Sequence, residues 1–166
     1  MTEKEREVLF RKLVERQRDM IWHVCESYSL SAAWETEDAF QEILSVLWRD
    51  LESFDGRSSE RTWVYRVATN TLLMLKRKAS NQPQQTVDVH EMECGTHPTD
   101  PLDTEYRHLL QLVGNLGDKD SQIVMAHLHG FNQQEIAQMT GLSLPTVARR
   151  MAKAKKWLKK QYNDDK

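Results

Sequence analysis

The sequence predicts an all-α protein of two small helical domains joined by a flexible linker, the C-terminal one a helix-turn-helix. Three observations lead there. Apolar residues recur every three to four positions along most of the chain. A stretch rich in proline, glutamine and acids, residues 79–105, interrupts that recurrence. Residues 133–147, QQEIAQMTGLSLPTV, read as helix, tight turn and helix. The boundaries expected are therefore 1–78, 79–105 and 106–166. A chain of 166 residues suits one or two such domains, each with a modest core.

In the first segment Val8, Leu9, Leu13, Val14, Ile21, Val24 and Tyr28 recur at helical spacing. A second helix is expected to start near Thr36, where Glu37 and Asp38 favour the positive end of the helix dipole. Its apolar stripe is Phe40, Ile43, Leu44, Leu47 and Leu51. The polar run Ser53–Ser59 is a loop, and a third helix follows over about Glu60–Lys78 with Val64, Val67, Ala68, Leu72 and Leu75 facing inward. Pro83, Pro98 and Pro101 punctuate the linker. Helical patterning returns at Tyr106–Val113 and continues through Asp118–His129.

The helix-turn-helix has a mechanism at each position. Ala137 leaves room for two helices to approach. Gly141 suits a left-handed turn residue because it has no Cβ. Ser143 is placed to N-cap the second helix, Pro145 falls in a first turn that needs no backbone donor, and Val147 is a branched wedge between the helices. Arg149, Arg150, Lys153, Lys155, Lys156, Lys159 and Lys160 follow, so the second helix carries the charge needed to lie in a DNA major groove.

The formal charge of −2 hides a strong segregation. Residues 49–78 hold seven basic and four acidic groups, and residues 145–166 hold eight and two. Residues 79–105 hold six acids and no base. Two basic segments divided by an acidic one suggest two contacts on a polyanion. Two cysteines, Cys25 and Cys94, imply no disulfide framework, and a reducing cytoplasm is expected. The charged N-terminus has no signal-peptide pattern and no window approaches a membrane span, so no direct membrane insertion is expected. No nucleophile–base pair, phosphate-cradling glycine loop or metal triad appears. His90, Cys94 and His97 are read as incidental rather than as a zinc site, and no cofactor and no catalysis are expected.

Leu116–Lys160 resembles the upstream-promoter-reading domain of bacterial sigma factors. TEDAFQEILSVLWRDLESFDGRSSERTWVYRVATNTLLMLKRK, residues 36–78, resembles their core-binding and promoter-melting domain. The order of the two blocks, the linker length and the absence of a domain between them are similar to the extracytoplasmic-function (ECF) group of the sigma-70 family. The resemblance spans about 8–78 and 106–160. The sequence departs from the usual pattern at Glu60, Gly117 and Ala148. Core RNA polymerase, promoter DNA and an anti-sigma factor are the partners this resemblance implies, and the linker is expected to thread through the polymerase.

The resemblance also suggests roles. Asp38, Gln41, Glu42 and Arg49, with Leu44 and Trp48, would dock on the polymerase; from the pattern alone that face is an ordinary solvated one. Asp55, Arg57 and Ser58 in the loop would capture a base flipped from the −10 element, the other reading being a plain turn. Arg61, Trp63, Arg66 and Asn70 would hold the melted strand, with Lys76 and Arg77 on phosphates. Trp63 or Tyr65 can instead be core. Ser143, Pro145, Thr146, Arg149, Arg150 and Lys153 are the expected −35 contacts. Two rival readings remain: a stand-alone helix-turn-helix regulator, or a sigma-like interaction module that binds an anti-sigma factor.

Overall fold

The computed structural model describes residues 1–29, 34–81 and 101–164. Among these the regular elements are all helical: α1 (Glu3–Ser29), α2 (Thr36–Asp50) with a 3₁₀ turn at Leu51–Ser53, α3 (Glu60–Asn81), α4 (Pro101–Gly114), α5 (Asp118–Leu128), α6 (Gln133–Thr140) and α7 (Leu144–Asp164).

Helices α1, α2 and α3 pack on one another. α2 shows why. Ala39, Phe40, Ile43 and Leu47 are buried, whereas Asp38, Gln41, Glu42, Ser45 and Arg49 share the exposed side. Ile43 and Leu47 meet Ile21 and Val24 of α1 and Val64, Ala68 and Leu72 of α3 in one apolar cluster. Full burial of each such side chain contributes about 1.5–3 kcal/mol. The Arg6 guanidinium closes the end of α2: it donates to the Trp48 carbonyl and, at 3.4 Å, to that of Arg49, and it lies 4.7 Å above the Trp48 ring.

The expected inward stripe of α1 needs one correction. Val8 and Leu9 are exposed. The inward face of the first turns is set by Arg6, Phe10, Leu13 and Gln17, and a period of 3.6 turns Val8 away from it. Helices also reach into both ends of the segment expected as linker. α3 runs on to Asn81 and α4 begins at Pro101, five residues before the expected helix. A proline at the first helical position needs no donor and has its φ already set. His90, Cys94 and His97 lie outside the described residues.

Helices α4–α7 bury Val113, Ile123, Met125, Ile136, Val147, Met151 and Leu158. The turn between α6 and α7 is as its residues dictate. Gly141 has φ +73° and donates its amide to Ala137, and the Thr146 amide donates to Ser143 Oγ at 3.3 Å. A signal left unread in the sequence is Asn132-x-x-Glu135. Asn132 accepts from the Glu135 amide at 2.8 Å and Glu135 accepts from the Asn132 amide at 3.0 Å, a reciprocal cap that starts α6.

Candidate polymerase and nucleic-acid interfaces

On α2 the structure brings Asp38, Gln41, Glu42 and Arg49 together on one exposed face. Leu44 and Trp48 are half-buried on its flank, Trp48 edge-on to Phe10 at 5.2 Å. Arg49 is held by Asp50 at 3.1 Å, a contact that pushes its guanidinium pKa up.

The loop before α3 is a compact turn. Asp55 Oδ1 accepts the Arg57 amide at 3.1 Å while Oδ2 lies 3.0 Å from Arg57 Nε, and Gly56 between them takes φ +78°. Ser58 Oγ donates to the Ser59 carbonyl at 3.3 Å. Ser59 caps α3 by accepting the Thr62 amide at 3.1 Å. Trp63 is half-buried against Phe54, ring centres 5.2 Å apart. Arg66 and Asn70 are exposed, and neither side chain is bonded to a described residue. Further along, Lys76 lies 3.7 Å from Asp118, and Arg77 is exposed.

Tyr65 and Arg61 have another task. Tyr65 is buried at 1% exposure, so the core reading applies to it fully, while Trp63 packs half-buried against that core. Its hydroxyl stands 2.8 Å from His129 Nδ1, in the turn between α5 and α6. Arg61 donates to the His129 carbonyl at 2.7 Å and lies 4.2 Å over the Phe131 ring, so this expected strand-holding cation is engaged within the protein. Ser27 Oγ lies 3.3 Å from His129 Nε2. A neutral ring protonated on Nε2 satisfies both neighbours, donating to Ser27 and accepting from Tyr65. Burial, and then the charge of nearby His23, lowers the His129 pKa to about 4. The seam continues at Thr62, whose hydroxyl donates to Glu135 at 3.4 Å, and at Gln138, which donates to the Arg57 carbonyl at 3.3 Å. The loop expected to hold a −10 base thus rests on a helix of the helix-turn-helix.

On α7 the six expected residues divide. The Ser143 and Thr146 hydroxyls are 2.8 Å apart and close the cap on each other. Arg150 pairs with Asp120 of α5 at 3.2 Å. Pro145 is exposed, as are Arg149 and Lys153, and neither of these two cations pairs with a described residue. Leu144, absent from the sequence-derived set, is 41% exposed beside them. No group of metal-ligating side chains and no helix long and apolar enough to cross a membrane occurs among the described residues.

Comparison with known proteins agrees with this fold. Residues 13–82 match the family described as Sigma-70 region 2, and residues 106–158 match Sigma-70, region 4. The ECF RNA polymerase sigma-E factor of Haemophilus influenzae is 29% identical over 135 residues, covering 73% of this chain and 71% of the relative. The ECF RNA polymerase sigma factor SigW of Bacillus subtilis is 26% identical over 170 residues, covering 93% and 89%. Among solved structures, the sigma factor RpoE of Bartonella quintana, crystallised with the anti-sigma factor NepR, superposes with a TM-score of 0.67 over 92% of this chain and 98% of that one at 19% identity, a likeness of fold. A region 2 match followed by a region 4 match, with ECF relatives aligned over most of the chain, establishes that the chain belongs to the sigma-70 family, in its extracytoplasmic-function group.

Proposed function

We propose that this protein binds core RNA polymerase through the exposed face of α2, directs it to promoters through α7, and helps open the DNA through α3. The observation that carries the reading is the pairing of two different basic surfaces in one chain. α3 presents an aromatic, an arginine and an amide on one side (Trp63, Arg66 and Asn70), the groups that stack on and bond unpaired bases. α7 presents Arg149 and Lys153 on a rigid helix capped at Ser143, the form that enters an intact groove. Residues 1–78 act as the −10 half and 106–166 as the −35 half. Neither half need bind DNA tightly alone, because tethering raises the effective concentration of the second contact. The polymerisation chemistry belongs to the core enzyme, which places this chain at work in the cytoplasm.

The seam between the halves has a functional consequence. Promoter elements centred near −10 and −35 lie roughly 80 Å apart along B-form DNA at about 3.4 Å per base pair. Gln138 and Arg57, one from each half, are in hydrogen-bond contact. Reading both elements therefore requires the halves to part, and the polymerase is the partner that parts them. An anti-sigma factor, such as the one bound to the Bartonella relative, holds this chain back by favouring the docked arrangement.

The test is reconstitution. The full chain is mixed with core polymerase and challenged with a library of promoter fragments. Transcription from a subset sharing two spaced elements supports the function. Tight binding of the chain to duplex DNA without polymerase, and no transcription with it, contradicts it.

A further inference from the structure

The outer surface of α7 is basic along most of its length but apolar at its leading edge. Leu144 and Pro145 open the helix, both exposed, and Ala148 follows Leu144 one turn on. An exposed leucine is unremarkable on most of a protein surface. Its place gives it meaning here. Side chains on a helix lean toward the N-terminus, so Leu144 projects ahead of α7 into whatever the helix enters. The short polar side chains of the same turn face each other, since the Ser143 and Thr146 hydroxyls are bonded and Ser143 Oγ also caps the Thr146 amide. Arg150 is drawn back to Asp120. That leaves one long, forward-facing side chain in the first turn, and it is apolar.

Among base edges in the major groove, the apolar group on offer is the 5-methyl of thymine. We infer that Leu144 reads a thymine in the upstream promoter element by packing on that methyl, with Ala148 keeping the flank of α7 low enough to approach it. Arg149 and Lys153, on other sides of the helix, supply the hydrogen-bonded and phosphate contacts. The inference rests on the function proposed above and assigns a specificity determinant that charge alone does not mark.

The test uses holoenzyme assembled from core polymerase and the full chain. Promoters are selected from a library randomised across the upstream element, and each selected thymine is replaced in turn by deoxyuridine, which removes only the methyl. One position should respond to wild-type holoenzyme by about fourfold weaker binding, the worth of one buried methyl group. With Leu144→Ala that response should vanish, and with Leu144→Met it should persist. Both variants should fold as wild type by circular dichroism, because the side chain is exposed. The inference is overturned if no thymine is selected, if uracil is tolerated by wild type at every position, or if the response is equal in Leu144→Ala. Equal loss of transcription by Leu144→Ala on all upstream sequences marks a protein contact and also overturns it. If wild-type holoenzyme selects no promoter at all, the proposed function falls with it; if it selects promoters that ignore the methyl, only Leu144's role falls.

Discussion

The Tyr65 hydroxyl stands 2.8 Å from Nδ1 of His129, tying α3 to the turn that precedes the helix-turn-helix. This bond joins residues whose exposed neighbours are assigned opposite jobs on DNA, and it makes the union of the halves sensitive to protons. His129 faces Tyr65 and Arg61 from α3, His23 and Ser27 from α1, and His23 in turn meets Tyr106 of α4. Burial, and after it the charge of His23, lowers the His129 pKa to about 4 from 6.5. Protonation therefore favours the parted state: the contribution of the neutral ring is complete above pH 6.5 and is lost as pH falls toward 4. The gap corresponds to at most about 3 kcal/mol. Energy transfer between labels on the two halves should fall between pH 7.5 and 5, and His129→Gln should flatten the profile.

Arg61→Ala should loosen the same seam, since it removes the bond to the His129 carbonyl and the stack on Phe131. A charge-assisted bond of this kind contributes about 1.5–3 kcal/mol when well shielded, and Arg61 is exposed, so about 1 kcal/mol is expected. Small-angle scattering should report a larger radius of gyration for the free variant at neutral pH, with helix content unchanged.

Arg149→Ala and Arg150→Ala should behave differently although they are adjacent. Arg149 pairs with no described residue, so its loss should leave thermal stability within about 0.5 kcal/mol and relax selection at one upstream position by about 1–3 kcal/mol. Arg150 is tied to Asp120 at 3.2 Å. Its loss should lower stability by up to about 1 kcal/mol, with a smaller change in selectivity. Denaturant unfolding and promoter selection on both variants separate the two outcomes.

Gly141→Ala should destabilise the second half by about 1–2 kcal/mol. Nothing lies within 4 Å of a Cβ built there, so the cost comes from the backbone at φ +73°. Thermal unfolding should show the loss.

The helix-turn-helix was legible because its information is local. Gly141, Ser143 and Val147 each fix one feature of the turn within a few residues, and the structure puts them at a left-handed φ, a cap and a fully buried wedge. The Asn132–Glu135 cap was equally local and stood in the sequence unread. Acids and prolines at 98–105 carry no apolar recurrence, so the sequence does not mark the helix that opens on Pro101. Val8 and Leu9 show that apolar spacing alone does not choose a face; the partner does, and here Arg6 and Phe10 meet Trp48. The seam had no signature at all. His129 is 102 residues from Ser27 and 64 from Tyr65, and a lone histidine after a helix carries no sign of either. The same distance in sequence hides that Arg61, expected on the melted strand, also bonds the His129 carbonyl while the halves are docked.

The most direct test of the account asks whether α3 and α7 divide promoter recognition as described. Holoenzyme carrying the wild-type chain or the Arg66→Ala/Asn70→Ala double variant is placed on a selected promoter. Permanganate then reports unpaired thymines, and nuclease protection reports the upstream contact. The account predicts that the double variant keeps upstream protection and loses most of the permanganate signal around −10. Melting equal to wild type in the double variant, or upstream protection lost along with the melting, would contradict it.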